Sequence, residues 1–140
     1  MLLAVADAII AAEPELSQAD RDLGDGDHGL GMQRGMTAAK EALAEEFASV
    51  DKVFTSVGKA MMSSMGGASG VVFGTLFRAT GRSLKGADSL SSAGLADGLT
   101  AAAKSISERG GAQVGDKTML DALVPAAEKA TAVKNEPLPT

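Results

Sequence analysis

Apolar residues recur at spacings of three and four along six segments of this chain, and glycine or proline punctuates the gaps between them. No stretch sustains the alternation of a half-buried strand, so the pattern predicts an all-α fold. Short connections favour antiparallel neighbours, hence an up-and-down bundle. Leu2, Leu3, Ala6, Ile9 and Ile10 define a first helix, expected to end near Pro14 because the residue before proline avoids the α region. Ser17 to His28 reads as a polar loop. A second helix, from near Gly29, carries Met32, Met36, Ala39, Leu43 and Phe47 on one stripe. The third runs from about Val50 to Met65 with Val53, Val57, Ala60, Met61 and Ser64 inward. Gly66 to Gly70 is expected to break the chain, since each glycine costs a helix interior about 1 kcal/mol relative to alanine.

A fourth helix carries Val72, Leu76 and Phe77 towards Leu84, and Gly86 marks the next turn, with Asp88 or Ser89 as N-cap. The fifth, to about Arg109, is rich in small residues that permit close helix contact, and Gly110-Gly111 closes it. The sixth begins near Asp116 or Lys117 and runs through Leu120, Leu123, Val124 and Ala127, leaving Asn135 to Thr140 as tail. A length of 140 residues suits one domain, 1–140, with a core of its own. That core must be built from aliphatic residues, methionine and four phenylalanines, because the chain has no Cys, Trp or Tyr.

A net charge of −5 with scattered basic residues argues against nucleic acid as a partner. No apolar run approaches a membrane span, and the N-terminus has no basic residue ahead of its short apolar stretch, so a cytoplasmic location is expected.

The chemistry concentrates in Asp20-Arg21-Asp22-Leu23-Gly24-Asp25-Gly26-Asp27-His28-Gly29. Carboxylates held 4 Å apart repel by about 4 kcal/mol per pair at an effective dielectric near 20, so convergence calls for a cation. Oxygen donors select Mg²⁺ or Ca²⁺. No register supplies the glutamate at position 12 of an EF-hand, which falls on Gly31, Gln33 or Met36. The plain alternative is a solvated acidic turn capping the next helix. Against it, the helix start offers free N–H groups and a positive dipole end to an anion, so that loop and helix together describe a metal–phosphate site. His28, the only histidine, stands at that junction. Gly66-Gly67-Ala68-Ser69-Gly70 is suited to cradling a phosphate through backbone N–H groups and the Ser69 hydroxyl, and Met119 to lying against a flat base. Neither glycine-rich break, Gly66 to Gly70 or Gly110 to Gly115, matches a P-loop or a dinucleotide fingerprint.

These three segments in this order, Asp20-x4-Asp25-x-Asp27-His28-Gly29, Gly66 to Gly70 and Gly115-Asp116-Lys117-Thr118-Met119-Leu120-Asp121, resemble the L subunit, the nucleotide-binding subunit, of the dihydroxyacetone kinase family from about Ala19 to Val124. The resemblance implies an up-and-down helical barrel with ADP or ATP at one end and two Mg²⁺ ions between aspartates and phosphates. It makes Asp20, Asp25 and Asp27 the metal ligands and leaves Asp22 out. His28, Gly29, Leu30 and Gly31 would border the phosphates, as would Ser69 and Gly70, with Gly110 and Met119 on the base and ribose side. Gly31 departs from the family, which commonly has Asn there. No catalytic base is implied on this chain: the hydroxyketone would sit on a partner K subunit, and in the phosphotransferase-system version a phosphohistidine-carrying M subunit recharges the bound ADP. The alternatives are a kinase for another ketose or a carrier-bound fatty acid, and a non-enzymatic nucleotide-dependent regulator. The family barrel has more helices and a C-terminal Asp-Pro-Gly segment, so this chain is expected to be an incomplete barrel whose exposed apolar seam favours a homodimer.

Overall fold

The computed structural model describes residues 1–138, so Pro139 and Thr140 of the expected tail lie outside the described residues. It is all-α. Seven helices follow one another among the described residues: α1 Leu2–Ala11, α2 Glu13–Arg21, α3 His28–Ala42, α4 Val50–Ser64, α5 Gly67–Ser83, α6 Ser92–Gly110 and α7 Leu120–Ala132.

One helix more than the periodicity predicts is present, because Glu13 to Arg21 is helical where a polar loop is expected from Ser17. Helix α1 ends at Ala11, three residues before Pro14, and Glu13, the residue ahead of the proline, is already helical, so Pro14 sits in the first turn of α2. Proline is tolerated in a first turn, where its missing N–H has no partner to lose, and Glu13 and Glu15 favour the positive end of the same helix. Other boundaries move for equally local reasons. Residues 67–70 belong to α5 instead of breaking the chain, and only Gly66 and Gly67 take positive φ, +75° and +56°. The N-cap of α6 is Ser91, whose hydroxyl accepts from the Gly94 N–H at 3.0 Å, and not Asp88 or Ser89. Helix α7 starts at Leu120, later than Asp116 or Lys117, because Lys117 adopts φ +56°.

The chain forms two compact units, Met1–Glu46 with Ser56–Gly74, and Phe47–Thr55 with the chain from Thr75 onward. In the first, α3 packs against α1 and α2. Its core includes Ala6, Met32, Met36, Ala39, Val57, Met61 and Met65. The α2 to α3 approach is close enough that a Cβ on Gly29 would lie 2.3 Å from both the Glu13 carbonyl oxygen and Ser17 Oγ. Helix α1 buries only Ala6, leaving Leu3 and Val5 exposed.

In the second unit α6 packs against α7. Ala96, Ala102, Leu120 and Ala127 are buried there, and Phe54 lies 6.4 Å from Phe77, ring centre to ring centre. Small residues let α6 come close, as expected from its composition. Of the expected inward stripe of α4, Val57 and Met61 in the first unit are buried while Val53, Ala60 and Ser64 are half-buried; Phe54, outside that expectation, is buried in the second unit.

Candidate functional site

The site is built in the first unit, at the end of α2, the loop 22–27 and the start of α3. Helix α2 ends in a turn in which Leu23 N–H donates to the Asp20 carbonyl at 3.0 Å. Gly24 packs so tightly there that a Cβ would lie 2.8 Å from Asp20 Oδ1. The chain then reverses through Gly26, at φ +79°, into α3. Asp27 occupies the N-cap of α3, yet its side chain makes no capping bond. Asp20 supplies one instead: its Oδ2 accepts the His28 N–H at 3.2 Å from eight residues away. This exchange leaves the Asp27 carboxylate available and fixes Asp20 beside it.

As a result, carboxylate oxygens of Asp20, Asp25 and Asp27 lie within 4.8 Å of one another. Asp20 is half-buried and the other two are exposed. Three hard oxygen donors at that separation fit Mg²⁺ or Ca²⁺. Asp22 lies outside the group, with Gln18 Nε2 donating to it at 3.4 Å.

Beside the carboxylates opens a cleft of about 460 Å³, lined by Asp25, Asp27, His28 and Gly31 on one side and by Met65 to Ser69 on the other, with Arg34 at its wall. Helices α3 and α5 both begin here, so two positive dipole ends and their free N–H groups border the cavity. Converging carboxylates next to two helix starts have the chemistry to receive a metal-bound phosphate. The His28 ring lies 6.3 Å from Phe73 of α5, centre to centre, which restricts its swing.

Of the residues expected to border phosphates, His28, Gly31 and Ser69 line the cleft. Gly29, Leu30 and Gly70 do not: Gly29 is buried against α2, Leu30 is exposed, and Gly70 is buried where a Cβ would meet Met65 Cβ at 3.3 Å. Gly110 and Met119 belong to the second unit, at the end of α6 and directly before α7. Sequence reasoning missed Arg34 and Phe73. Arg34 follows Gly31 by three residues on one helix, a spacing that places both on the same face. Phe73 has no comparable signal.

In the second unit, Asp121 organises the segment ahead of α7. Its Oδ1 accepts the Gly115 N–H at 2.7 Å and its Oδ2 the Thr118 N–H at 2.9 Å. The Gly115 bond, followed by the Thr118 bond, holds the carboxyl below the ordinary aspartate range. Because the folded pKa is depressed, the tether is fully present above the ordinary value and is lost as pH falls through the lowered one. The amide resonances of Gly115 and Thr118 are therefore expected to titrate together on the acid side of an unperturbed aspartate. In Asp121→Asn that titration disappears; its persistence would show that another group holds the loop.

The DAK2 domain profile matches residues 22–139. Over 129 residues the chain is 43% identical to D-erythrulose kinase of Mycolicibacterium smegmatis, an alignment covering 90% of this chain and 22% of that protein. It is 38% identical over 125 residues to the ADP-binding subunit of the PEP-dependent dihydroxyacetone kinase of Escherichia coli, covering 86% of this chain and 58% of the subunit. A similar subunit of Listeria innocua is 38% identical over 111 residues, with 79% and 56% covered. The chain thus spans little more than half the length of these subunits. Among the described residues, no helix is long and apolar enough to cross a membrane.

Proposed function

The chain belongs to the DAK2 domain family, and on that basis we propose that residues 1–140 act as the nucleotide-binding part of a hydroxyketone kinase, holding Mg²⁺ with ADP or ATP. The observation that carries this reading is the convergence of Asp20, Asp25 and Asp27 beside a cleft into which two helices begin. Asp20, Asp25 and Asp27 would hold two Mg²⁺ ions. Bound Mg²⁺ would neutralise charge on the nucleotide phosphates. The chain's own contribution is placement: the N–H groups at the start of α3 and α5, the Ser69 hydroxyl and His28 would bind and orient phosphate oxygens. Such transfer rests on positioning and charge stabilisation, with little covalent chemistry from the protein. We assign no general base to this chain, and the acceptor would be presented by a partner of the K-subunit type, with an M-type phosphohistidine donor in a phosphotransferase-system arrangement.

The acceptor has two readings. Dihydroxyacetone follows from the likeness to the ADP-binding subunits. A four-carbon ketose follows from the higher identity to D-erythrulose kinase. Phosphoryl transfer to each ketose, with a hydroxyketone-binding kinase subunit added, separates them.

Titration calorimetry with ADP tests the binding step directly. Saturable heat is expected in MgCl₂ and should vanish in EDTA. Absence of binding in Mg²⁺, together with no nucleotide released by acid from the purified protein, overturns the reading.

A further inference from the structure

Two adjacent residues of α3 grip a single residue at the end of α4. Gly35 leaves room for the Met65 side chain: a Cβ there would lie 2.5 Å from Met65 Cγ. Arg34 Nη2 donates to the Met65 carbonyl at 3.3 Å. Met65 is only 5% exposed, so its side chain is anchored in the core of the unit while its carbonyl points to the guanidinium. Directly after it come Gly66 and Gly67, both at positive φ and both with open space around their Cβ positions. Within the turn the Gly66 carbonyl accepts the Gly70 N–H at 3.1 Å, and neither glycine has a side chain to hold it. Beyond it the chain is anchored again, where Gly70 packs on Met65 and the Met61 carbonyl. At the near end of this turn the side-chain bond is that of Arg34 to the Met65 carbonyl.

We propose that Arg34 is a positioning residue for the phosphate cleft: through the Met65 carbonyl it sets the α4–α5 turn, so that the N–H groups at the start of α5 and the Ser69 hydroxyl face the terminal phosphates of the nucleotide. A guanidinium has five N–H donors in a rigid fork, so one can hold a carbonyl while the positive charge stays at the cleft wall. Lysine has the charge but lacks the fork. The assignment rests on the nucleotide-binding reading for its ligand, though the tether to the turn can be measured without any ligand.

The test uses Arg34→Gln and Arg34→Lys with two measurements. Amide hydrogen exchange of the nucleotide-free protein is expected to quicken at Gly66 to Ser69 in Arg34→Gln and to stay unchanged in α1 and α2. Calorimetry in Mg²⁺ is expected to show ADP affinity lowered about tenfold, the usual scale for losing a charged hydrogen bond. Arg34→Lys should regain part of both effects, and it carries the test should the glutamine variant fail to fold. Unchanged exchange at the turn overturns the positioning role, and so does faster exchange with undiminished ADP affinity. Failure of the wild-type protein to bind ADP would instead remove the nucleotide reading, while the exchange result would still decide whether Arg34 holds the turn.

Discussion

Replacing Asp25 and Asp27 together by alanine is expected to weaken Mg²⁺-dependent ADP binding at least about a hundredfold while leaving the helices intact. Loss of a single outer partner of a metal ligand typically costs about 10-fold to 100-fold, and here two ligands would go. The fold leans little on either carboxylate: both are exposed, Asp27 does not cap α3, the capping bond comes from Asp20, and Asp25 takes a long 3.4 Å bond from the exposed Asp27 N–H. Like charges 4 Å apart repel by about 1 kcal/mol in bulk water and about 4 kcal/mol at a dielectric of 20. Relief of that repulsion means the metal-free variant should melt no lower than the wild type. Calorimetry in MgCl₂ and thermal denaturation in EDTA check both halves. Equal ADP affinity in the two proteins would sink the metal assignment. A large drop in melting temperature would show that the loop is structural instead.

The contrast between those two readouts reflects what could be read from the sequence. The three aspartates were legible because their spacing, with glycines between them and a helix after, is local and chemically unusual. Most helices were legible from period alone: Met32, Met36 and Ala39 are buried as the stripe predicts, though Leu43 and Phe47 fall past the end of α3 and are half-buried, and Leu120, Leu123 and Ala127 are buried in α7. Helix α2 was not, because in Glu13–Arg21 only Ser17 is buried, and a helix with so little core face carries no apolar rhythm. Arg34 and Phe73 escaped for a different reason. Each reaches the cleft region through packing between helices distant in sequence, α3 with the end of α4 and α5 with His28. Lys117, at positive φ, delayed α7 against the pattern, and the Asp121 tether that accompanies it spans six residues, beyond any capping rule.

Helix α3 contains a paired test of how far packing overrides helix propensity. Gly29→Ala is expected to destabilise the protein by about 3 kcal/mol, at the upper end of overpacking costs, whereas Gly31→Ala, two residues along, should stabilise it by up to about 1 kcal/mol. Propensity alone gives both substitutions the same favourable sign. At Gly31 nothing opposes it, since the nearest atom to a new Cβ is Arg34 Nη2 at 3.9 Å. At Gly29 the Cβ would stand 2.3 Å from the Glu13 carbonyl oxygen and 2.6 Å from the Ser17 backbone nitrogen. Those are main-chain atoms of α2, so no rotamer change relieves the clash and one helix must move. Moving α2 shifts Asp20 at its end and strains the bond from Asp20 to the His28 N–H. Gly29→Ala should therefore lose Mg²⁺ affinity along with about 10 °C of melting temperature. Gly31→Ala should melt slightly higher than wild type. Matching upward shifts in the two variants would mean that the α2 to α3 contact is looser than this geometry requires, and matching downward shifts that Gly31 is not open to a Cβ.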